Sequence, residues 1–500
     1  MPNEEQLINE RKKKREELLK QGINPYPYRY EPNSTDKEIK EKYKKLKENS
    51  QTEDEYRIAG RIMELRRMGK ITFMKLQDHT GRMQIFFSDN NLGTEEYKKL
   101  KLFDVGDWLG VEGKVFTTKT GEITINAKNF DILSKSIRPL PDKWHGLKDI
   151  EQRYRKRYLD IIMNPEVMET FINRTKIVNT IRQVLNKQEF IEVDTPVLQP
   201  IYGGGAAKPF KSHLNSLDMP VYLRIANELY LKRLIVGGFP RVYEFSRNFR
   251  NEDIDSTHNP EFTCIEIYQA YADFYDMQKL VEKIYQEAAK AIHGSTKFEY
   301  NGKMIDVKSP WQSYTMEEAL KKFANIDVNK ITKSAKDKLC KEHQIELGND
   351  YTKGELMQAL FEELVEDKLI QPTFITHHPI ESTPLCKTCR NDPDGSIIER
   401  FEPFVAGMEI ANAYSELNDP IMQRKLLEIQ SKKLLSGKDE EAHPMDEEFI
   451  EAIEYGMPPT GGVGIAIDRM AMLLLNKQSI KDVLPFPFMK IKDKKTKKKK

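Results

Sequence analysis

The chain has 500 residues, of which 39% are hydrophobic and 32% charged, with 80 Lys plus Arg against 78 Asp plus Glu and a formal net charge of +2. That length accommodates two or three domains with sizeable cores, and the absence of any apolar run of spanning length excludes a membrane-embedded helical protein. Four cysteines are too few for a disulfide framework in so long a chain, the N-terminus carries no apolar signal core, and Glu4, Glu5 and Glu10 speak against an acid-poor transit peptide, so cytoplasmic residence is the expectation.

Residues 1 to about 50 read as a basic helical arm, almost wholly polar. Leu7, Ile8, Leu18 and Leu19 form only a thin apolar stripe, which predicts an arm that does not pack firmly. Gly22 and Pro25 end its first helix. The run Arg11–Arg15 and the lysines of a basic tail, 491–500, are of the kind that attracts polyanions, and solvated solubilising segments are the alternative.

From Tyr56 the pattern becomes one of short alternating strands, at Arg57–Leu65, Ile71–Asp78, Arg82–Phe87, Asp107–Phe116 and Ile123–Leu133. Turn residues separate them at 78–81 and 119–121. Five strands within residues 51–135 predict a small closed barrel of the oligonucleotide-binding (OB) type, and Thr94–Leu102 suits the helix such barrels insert between strands. Residues 136–148, with Pro139 and Pro141, read as a linker.

Residues 149–490 mix long helices with strands. Met168–Lys187 has helical period, 315–370 reads as a helical insertion, strands resume near Thr373 and at Arg400–Leu417, and a helix follows over Pro420–Leu435. The order is not a regular βαβ alternation, so the predicted fold class is α+β, with an antiparallel sheet flanked by helices. Cys386 and Cys389 form a CxxC downstream of His377 and His378. The spacing matches no standard zinc finger and no second CxxC exists, so reduced thiols are the reading preferred.

Two stretches carry the chemistry. Between two alternating segments lies Arg247-Asn-Phe-Arg250-Asn251-Glu252, a short loop, and His258-Asn259-Pro-Glu-Phe262-Thr. Guanidinium forks match phosphate bidentately, an aromatic ring can stack on a base, and a carboxylate can accept from an exocyclic amine; together they suit a nucleoside triphosphate. The second stretch, Gly461-Gly-Val-Gly-Ile-Ala466-Ile-Asp-Arg469, reads as a glycine-rich strand running into a helix that bears an arginine. Neither a Walker P-loop nor a Gly-x-Gly-x-x-Gly fingerprint occurs, so side chains must hold the phosphates.

These stretches, with Phe190-Ile-Glu-Val-Asp-Thr-Pro196, resemble the three motifs of the class II aminoacyl-tRNA synthetases. Over nearly its whole length the chain is most similar to the lysyl branch of that family. The resemblance implies a homodimer built on the first motif, with ATP, Mg²⁺, lysine and tRNA(Lys) as cofactor and partners, and no membrane. Arg250 would hold the α-phosphate and the substrate carboxylate, and Arg469 the γ-phosphate. Asn251, Glu252, His258, Asn259, Phe262 and Ile410 would complete the ATP site, with Phe262 stacked on adenine. Glu402 and Glu409 would carry Mg²⁺.

The lysine pocket implied by the resemblance comprises Gly204, Glu228 for the α-amino group, Arg250, Glu266, Tyr268, Asn412, Tyr414 and Glu416. A pocket for a cation should carry no facing arginine, and Glu266 and Glu416 could instead be structural carboxylates. In the barrel, Phe73 would stack on an anticodon base while Arg66 and Gln84 read edges. Ala466 and Asp253 replace glycines usual in the family, and residues 382–390 depart from its pattern. The implied activity is ATP-dependent ligation of lysine to tRNA. An aspartyl or asparaginyl specificity, a lysyl-transferring paralogue and a non-catalytic tRNA scaffold are the alternatives.

Overall fold

The structure is a computed structural model that describes residues 3–141, 147, 149–331, 333–345, 347, 351–437 and 439–491. The lysines of the basic tail lie outside the described residues. The chain divides into two compact units, residues 1–147 and 148–500.

In the first unit, helices α1 (Glu4–Lys20) and α2 (Asp36–Tyr43) precede strands β1 (Gln51–Met68), β2 (Ile71–Gln77), β3 (Arg82–Ser88), β4 (Trp108–Thr117) and β5 (Ile123–Ser134). Among the described residues these strands close a barrel in the order β1-β2-β3-β5-β4, parallel only where β3 meets β5. Strict alternation explains the closure: Met74 and Leu76 of β2, Met83 and Ile85 of β3 and Val111 and Val115 of β4 all point inward and are buried.

The arm packs firmly, against the expectation from its polarity. Leu18 is fully buried in the barrel core cluster beside Ile39. Arg11 is buried too, and its guanidinium donates to Val105 O at 2.8 Å, Ser136 Oγ at 2.6 Å and Arg138 O at 3.2 Å. One apolar side chain and one satisfied arginine anchor a helix whose mean hydropathy gives no hint of it. The start of the segment read as a linker is likewise integral to this unit: Ser136 donates from N and Oγ to Asp107 Oδ1 at 2.8 and 2.9 Å, beside Lys135, which is buried on Asp104 and Asp107. The inserted helix is broken into Asp89–Leu92, Thr94–Lys99 and a 3₁₀ turn over Leu100–Leu102, because Gly93 adopts φ +81° between the first two.

In the second unit, α3 (Pro165–Asn186) leads to the edge strand β6 (Ile191–Glu192), then α4 (Glu228–Val236) and the hairpin β7 (Arg241–Phe249) and β8 (Glu261–Ala270). Helix α5 (Phe274–His293) follows, then β9 (Gln312–Thr315), α6 (Lys353–Leu364), β10 (Thr373–Pro379), β11 (Ile397–Val405), β12 (Ala411–Ser415), α7 (Pro420–Leu435), β13 (Thr460–Ala466) and α8 (Ile467–Leu474). Among the described residues the sheet runs β9-β10-β11-β12-β13-β8-β7-β6, with Met408–Glu409 pairing beside β11. Its central pairs are antiparallel.

Helix α5 shows how sequence builds this layer. Asp273 caps its N-terminus in a reciprocal box with Asp276, and Gly294 closes its C-terminus at φ +69°. Phe274, Met277, Val281, Ile284, Tyr285 and Ala288, at three- and four-residue spacing, are all buried. With α3 and α8 they cover one face of the sheet. The other face of the central strands is left for polar side chains. Among the described residues no helix is long and apolar enough to cross a membrane.

Candidate active site

Strands β12, β13 and β8 lie side by side, and register decides what faces the open side of the sheet. Gly464 pairs with Glu266 on one flank and Asn412 on the other, and Gly462 pairs with Tyr268 and Tyr414. The two glycines are the floor of a hole whose walls are the neighbouring strands' side chains. A Cβ on Gly464 would fall 2.5 Å from Glu266 Oε1, and one on Gly462 would fall 2.5 Å from Tyr268 Cε1. A side chain at either position would have to displace the Glu266 carboxylate or the Tyr268 ring.

This hole is part of a cavity of about 360 Å³. Its walls include Gly204, Glu228, Arg250, Glu252, His258, Asn259, Phe262, Glu266, Tyr268, Glu402, Glu409, Asn412, Tyr414, Glu416 and Arg469. Residues distant in the chain are thus brought together. Asn251 and Ile410 are not among the walls. Ile410 is fully buried in the core beneath the sheet, since strand alternation that turns Glu409 to the cavity turns its neighbour away. Asn251 is exposed and contributes a main-chain bond, N to Lys208 O at 2.8 Å. Arg66, Phe73 and Gln84 line a separate cavity on the barrel, with Glu64, Lys75 and Glu122 among its other walls.

The two arginines are held differently. Among the described residues Arg250 has no ion-pair partner; its guanidinium lies 5.2 Å from the Phe262 ring centre, and Nε is buried with no hydrogen-bond partner. A half-buried guanidinium without an ion-pair partner among the described residues is free to receive an anion. Arg469 is oriented by protein: Nη1 donates to Glu409 O at 2.8 Å and to Glu409 Oε2 at 3.2 Å. Its Nη2 lies 3.0 Å from His258 Nε2, and His258 Nδ1 lies 2.8 Å from Asp255 Oδ2. Arg469 can only donate, so Nε2 accepts and the imidazole proton sits on Nδ1, facing Asp255. Burial pushes the Asp255 carboxyl up, but bonds from His258 and the amides of Thr257 and His258 prevail and hold it at about 2.

Deeper supports fix the walls. Asp468 is buried and accepts from Arg174 Nη2 at 2.6 Å and from Thr263 N at 2.8 Å, tying α3, β8 and α8 together beside Arg469. The start of α4, and with it Glu228, is held by a buried network in which Glu244 accepts from Arg224 at 2.6 Å, Thr195 at 2.6 Å and Asn227 at 2.8 Å. The segment 382–390 runs alongside β11 and β12: Lys387 N bonds Ser415 O at 2.9 Å and Leu417 N bonds Leu385 O at 3.0 Å. It forms the back wall through Ser382, Thr383 and Leu385. Cys386 sits there as a buried thiol bridged to Glu416 by main chain.

The electrostatics of the hole are those of crowded carboxylates. Burial, and then the charge of Glu228, raise Glu266 to about 8. Burial raises Glu416 to about 8 as well, with Lys232 pulling down and Glu228 pushing up. Glu409 is raised by burial and by neighbouring Glu402, while Arg469 opposes. A nearby cation would relieve such raised acids in a cleft. Glu402 and Glu409 are the pair a divalent cation would relieve.

Two wall residues, and a third residue behind them, escaped the sequence reading. Arg400 does face the cavity, contrary to the expectation of no arginine there. Its charge is neutralised by an ion pair to Glu402, and Nε donates to Asn412 Oδ1 at 3.1 Å. The alternation Arg400-x-Glu402 within one strand was the available signal. His443 is buried against the cavity and lowered to about 4 by burial and by Lys232. Lys232 lies behind the walls, fully buried, and Glu228-x-x-x-Lys232 on one helix face was its signal.

Comparison with known proteins gives the family of the chain. A family model described as tRNA synthetases class II (D, K and N) matches residues 149–490, and one described as OB-fold nucleic acid binding domain matches residues 56–133. The chain is 48% identical to a lysine–tRNA ligase of Clostridium novyi (strain NT) over 97% of this chain and 94% of the relative. It is 50% identical to one of Pelotomaculum thermopropionicum over 97% and 95%, and 49% identical to one of Staphylococcus epidermidis over 96% and 98%. With a motif-bearing catalytic unit matched end to end and an OB barrel before it, the chain belongs to the class II aminoacyl-tRNA synthetases.

Proposed function

We propose that this chain is an ATP-dependent lysine–tRNA ligase, which activates lysine as lysyl-adenylate and passes the lysyl group to the 3′ end of tRNA(Lys). The observation that carries this reading is a single cavity holding an unneutralised guanidinium, Arg250, beside a hole lined by Glu228, Glu266 and Glu416. An amino acid with a cationic side chain offers one carboxylate and two ammonium groups, and the cavity offers the complement.

The chemistry asks little else of the protein. The lysine carboxylate is ionised at neutral pH, so no general base is needed. Its oxygen forms a bond to the α-phosphorus, the bond to the bridging oxygen of the β-phosphate breaks, and pyrophosphate leaves with that electron pair. Arg250 aligns the carboxylate with the α-phosphate, Arg469 and His258 hold the far end of the triphosphate, and Phe262 and Glu252 take the adenine. Glu402 and Glu409 would hold Mg²⁺, which neutralises phosphate charge when bound. A tRNA ribose hydroxyl then attacks the lysyl carbonyl and AMP departs.

The same reading covers the remaining surfaces. The barrel cavity with Phe73, Arg66 and Gln84 reads the anticodon by stacking and edge hydrogen bonds. Ile172, Ile191, Val197 and Leu198, exposed on α3 and just beyond it, belong to the face of a homodimer. The protein works in the cytoplasm. Lysine-dependent exchange of pyrophosphate into ATP tests the activity; exchange driven by aspartate or asparagine in its place would overturn it.

A further inference from the structure

Lys232 is fully buried, is not part of the cavity wall, and has no role in the chemistry described above. Its Nζ lies 2.5 Å from Glu228 Oε1, one helical turn earlier on α4, and forms a second ion pair with Glu416 Oε2, at the end of β12. Both carboxylates face the cavity. Glu416 Oε1 is buried without a hydrogen-bond partner, over Gly462, where only a missing Cβ leaves it room.

We propose that Lys232 is a positioning residue for the amino-acid pocket: a resident ammonium that takes one oxygen of Glu228 and one of Glu416 and leaves their remaining oxygens to a diammonium substrate. The inference rests on the reading of this cavity as a lysine pocket.

Charge bookkeeping supports it. The hole itself is lined by three carboxylates, Glu228, Glu266 and Glu416, whereas lysine brings two ammonium groups, its own carboxylate being matched by Arg250. Arg400 is cancelled by Glu402. One negative charge would remain uncompensated in a buried site, and Lys232 removes it. The groups facing Glu416 are Lys232 and Glu228 from α4, Glu266 and Tyr268 from β8, and Cys386 from the back wall. Of these Lys232 is the one cation, so its loss favours the protonated carboxyl.

The test compares Lys232→Met, which keeps length without charge, and Lys232→Gln, which keeps hydrogen bonding without charge, in pyrophosphate exchange with the full-length enzyme. The expected result in both is a rise in KM for lysine of more than about tenfold, the weight of a charge-assisted hydrogen bond, with KM for ATP unchanged. The acidic limb of kcat/KM for lysine should move to higher pH. A wild-type lysine KM in Lys232→Gln, an equal rise for ATP, or an unmoved pH profile would overturn the proposal, as would failure of both variants to fold. Wild-type enzyme inactive with lysine would instead sink the underlying assignment of the pocket.

Discussion

Arg469 and Glu409 stand 60 residues apart in sequence and are joined twice, Nη1 donating to the main-chain oxygen at 2.8 Å and to the carboxylate at 3.2 Å. On the proposed function the arginine is therefore aimed before a phosphate arrives, and little reorganisation is needed when one does. Arg469→Ala should lower the rate of lysine-dependent pyrophosphate exchange by about 10²–10³-fold, the usual loss for one preorganised donor. Lysine binding without ATP should persist in calorimetry. Exchange at the wild-type rate would remove the phosphate role from this side chain.

Glu266 and Glu416 both stand at about 8 in the folded protein, above the ordinary carboxyl value. Between those two limits the native state binds more protons than the unfolded chain, so these groups make stability fall as pH rises through that window. An incoming ammonium reverses the preference and expels the protons. Lysine binding at pH 7 should thus release protons, detected as a dependence of apparent binding enthalpy on buffer ionisation heat. Its thermal stabilisation of the protein should be larger at pH 8 than at pH 6. Net proton uptake would contradict the cation-pocket assignment.

The floor of the hole invites a steric probe. Gly464→Ala places a methyl group against Glu266 Oε1. kcat/KM for lysine should drop by more than about tenfold, and the overpacking should cost about 1–3 kcal/mol in stability. Unchanged lysine kinetics would mean that the substrate binds elsewhere.

Phe73 is half-buried and packs against Phe86, with ring centres 5.1 Å apart. One flank of the ring faces the barrel cavity. Phe73→Ala should weaken tRNA charging by the equivalent of about 1–3 kcal/mol, one stacked base, and leave pyrophosphate exchange intact. Equal losses in the two assays would make the ring a core residue only.

Much of this architecture is legible in the sequence because period and punctuation agree. Alternation runs unbroken along β2 and through most of β3 between turn residues, and α7 begins at Pro420 behind an Asp419 cap. The docking of the arm was not legible, because its anchors include one leucine and a buried arginine whose partners are two carbonyls and a serine hydroxyl about a hundred residues away. In the site, Arg250 and Arg469 stand out as charges beside glycine and aromatic residues. Arg400 and Lys232 do not, since each is neutralised by a carboxylate whose position depends on tertiary pairing. The segment 382–390 is similarly opaque: main-chain bonds to the neighbouring strands place it, and the Arg390 side chain meets Glu399 and Asp273 only through tertiary pairing.

The polar groups of the hole alternate along β8, β12 and β13, three neighbouring strands flanked on both sides within the sheet. Local opening there requires breaking ladders on either side, so amide hydrogens of Cys264–Tyr268 and Gly462–Ile465 should exchange with solvent only through global unfolding. On that expectation the floor of the hole opens no more readily than the sheet that carries it. Whatever adjustment accompanies a catalytic cycle must fall to the loops around Gly204 and Asp253, and slow-exchange protection should divide the cavity into a rigid floor and a yielding rim.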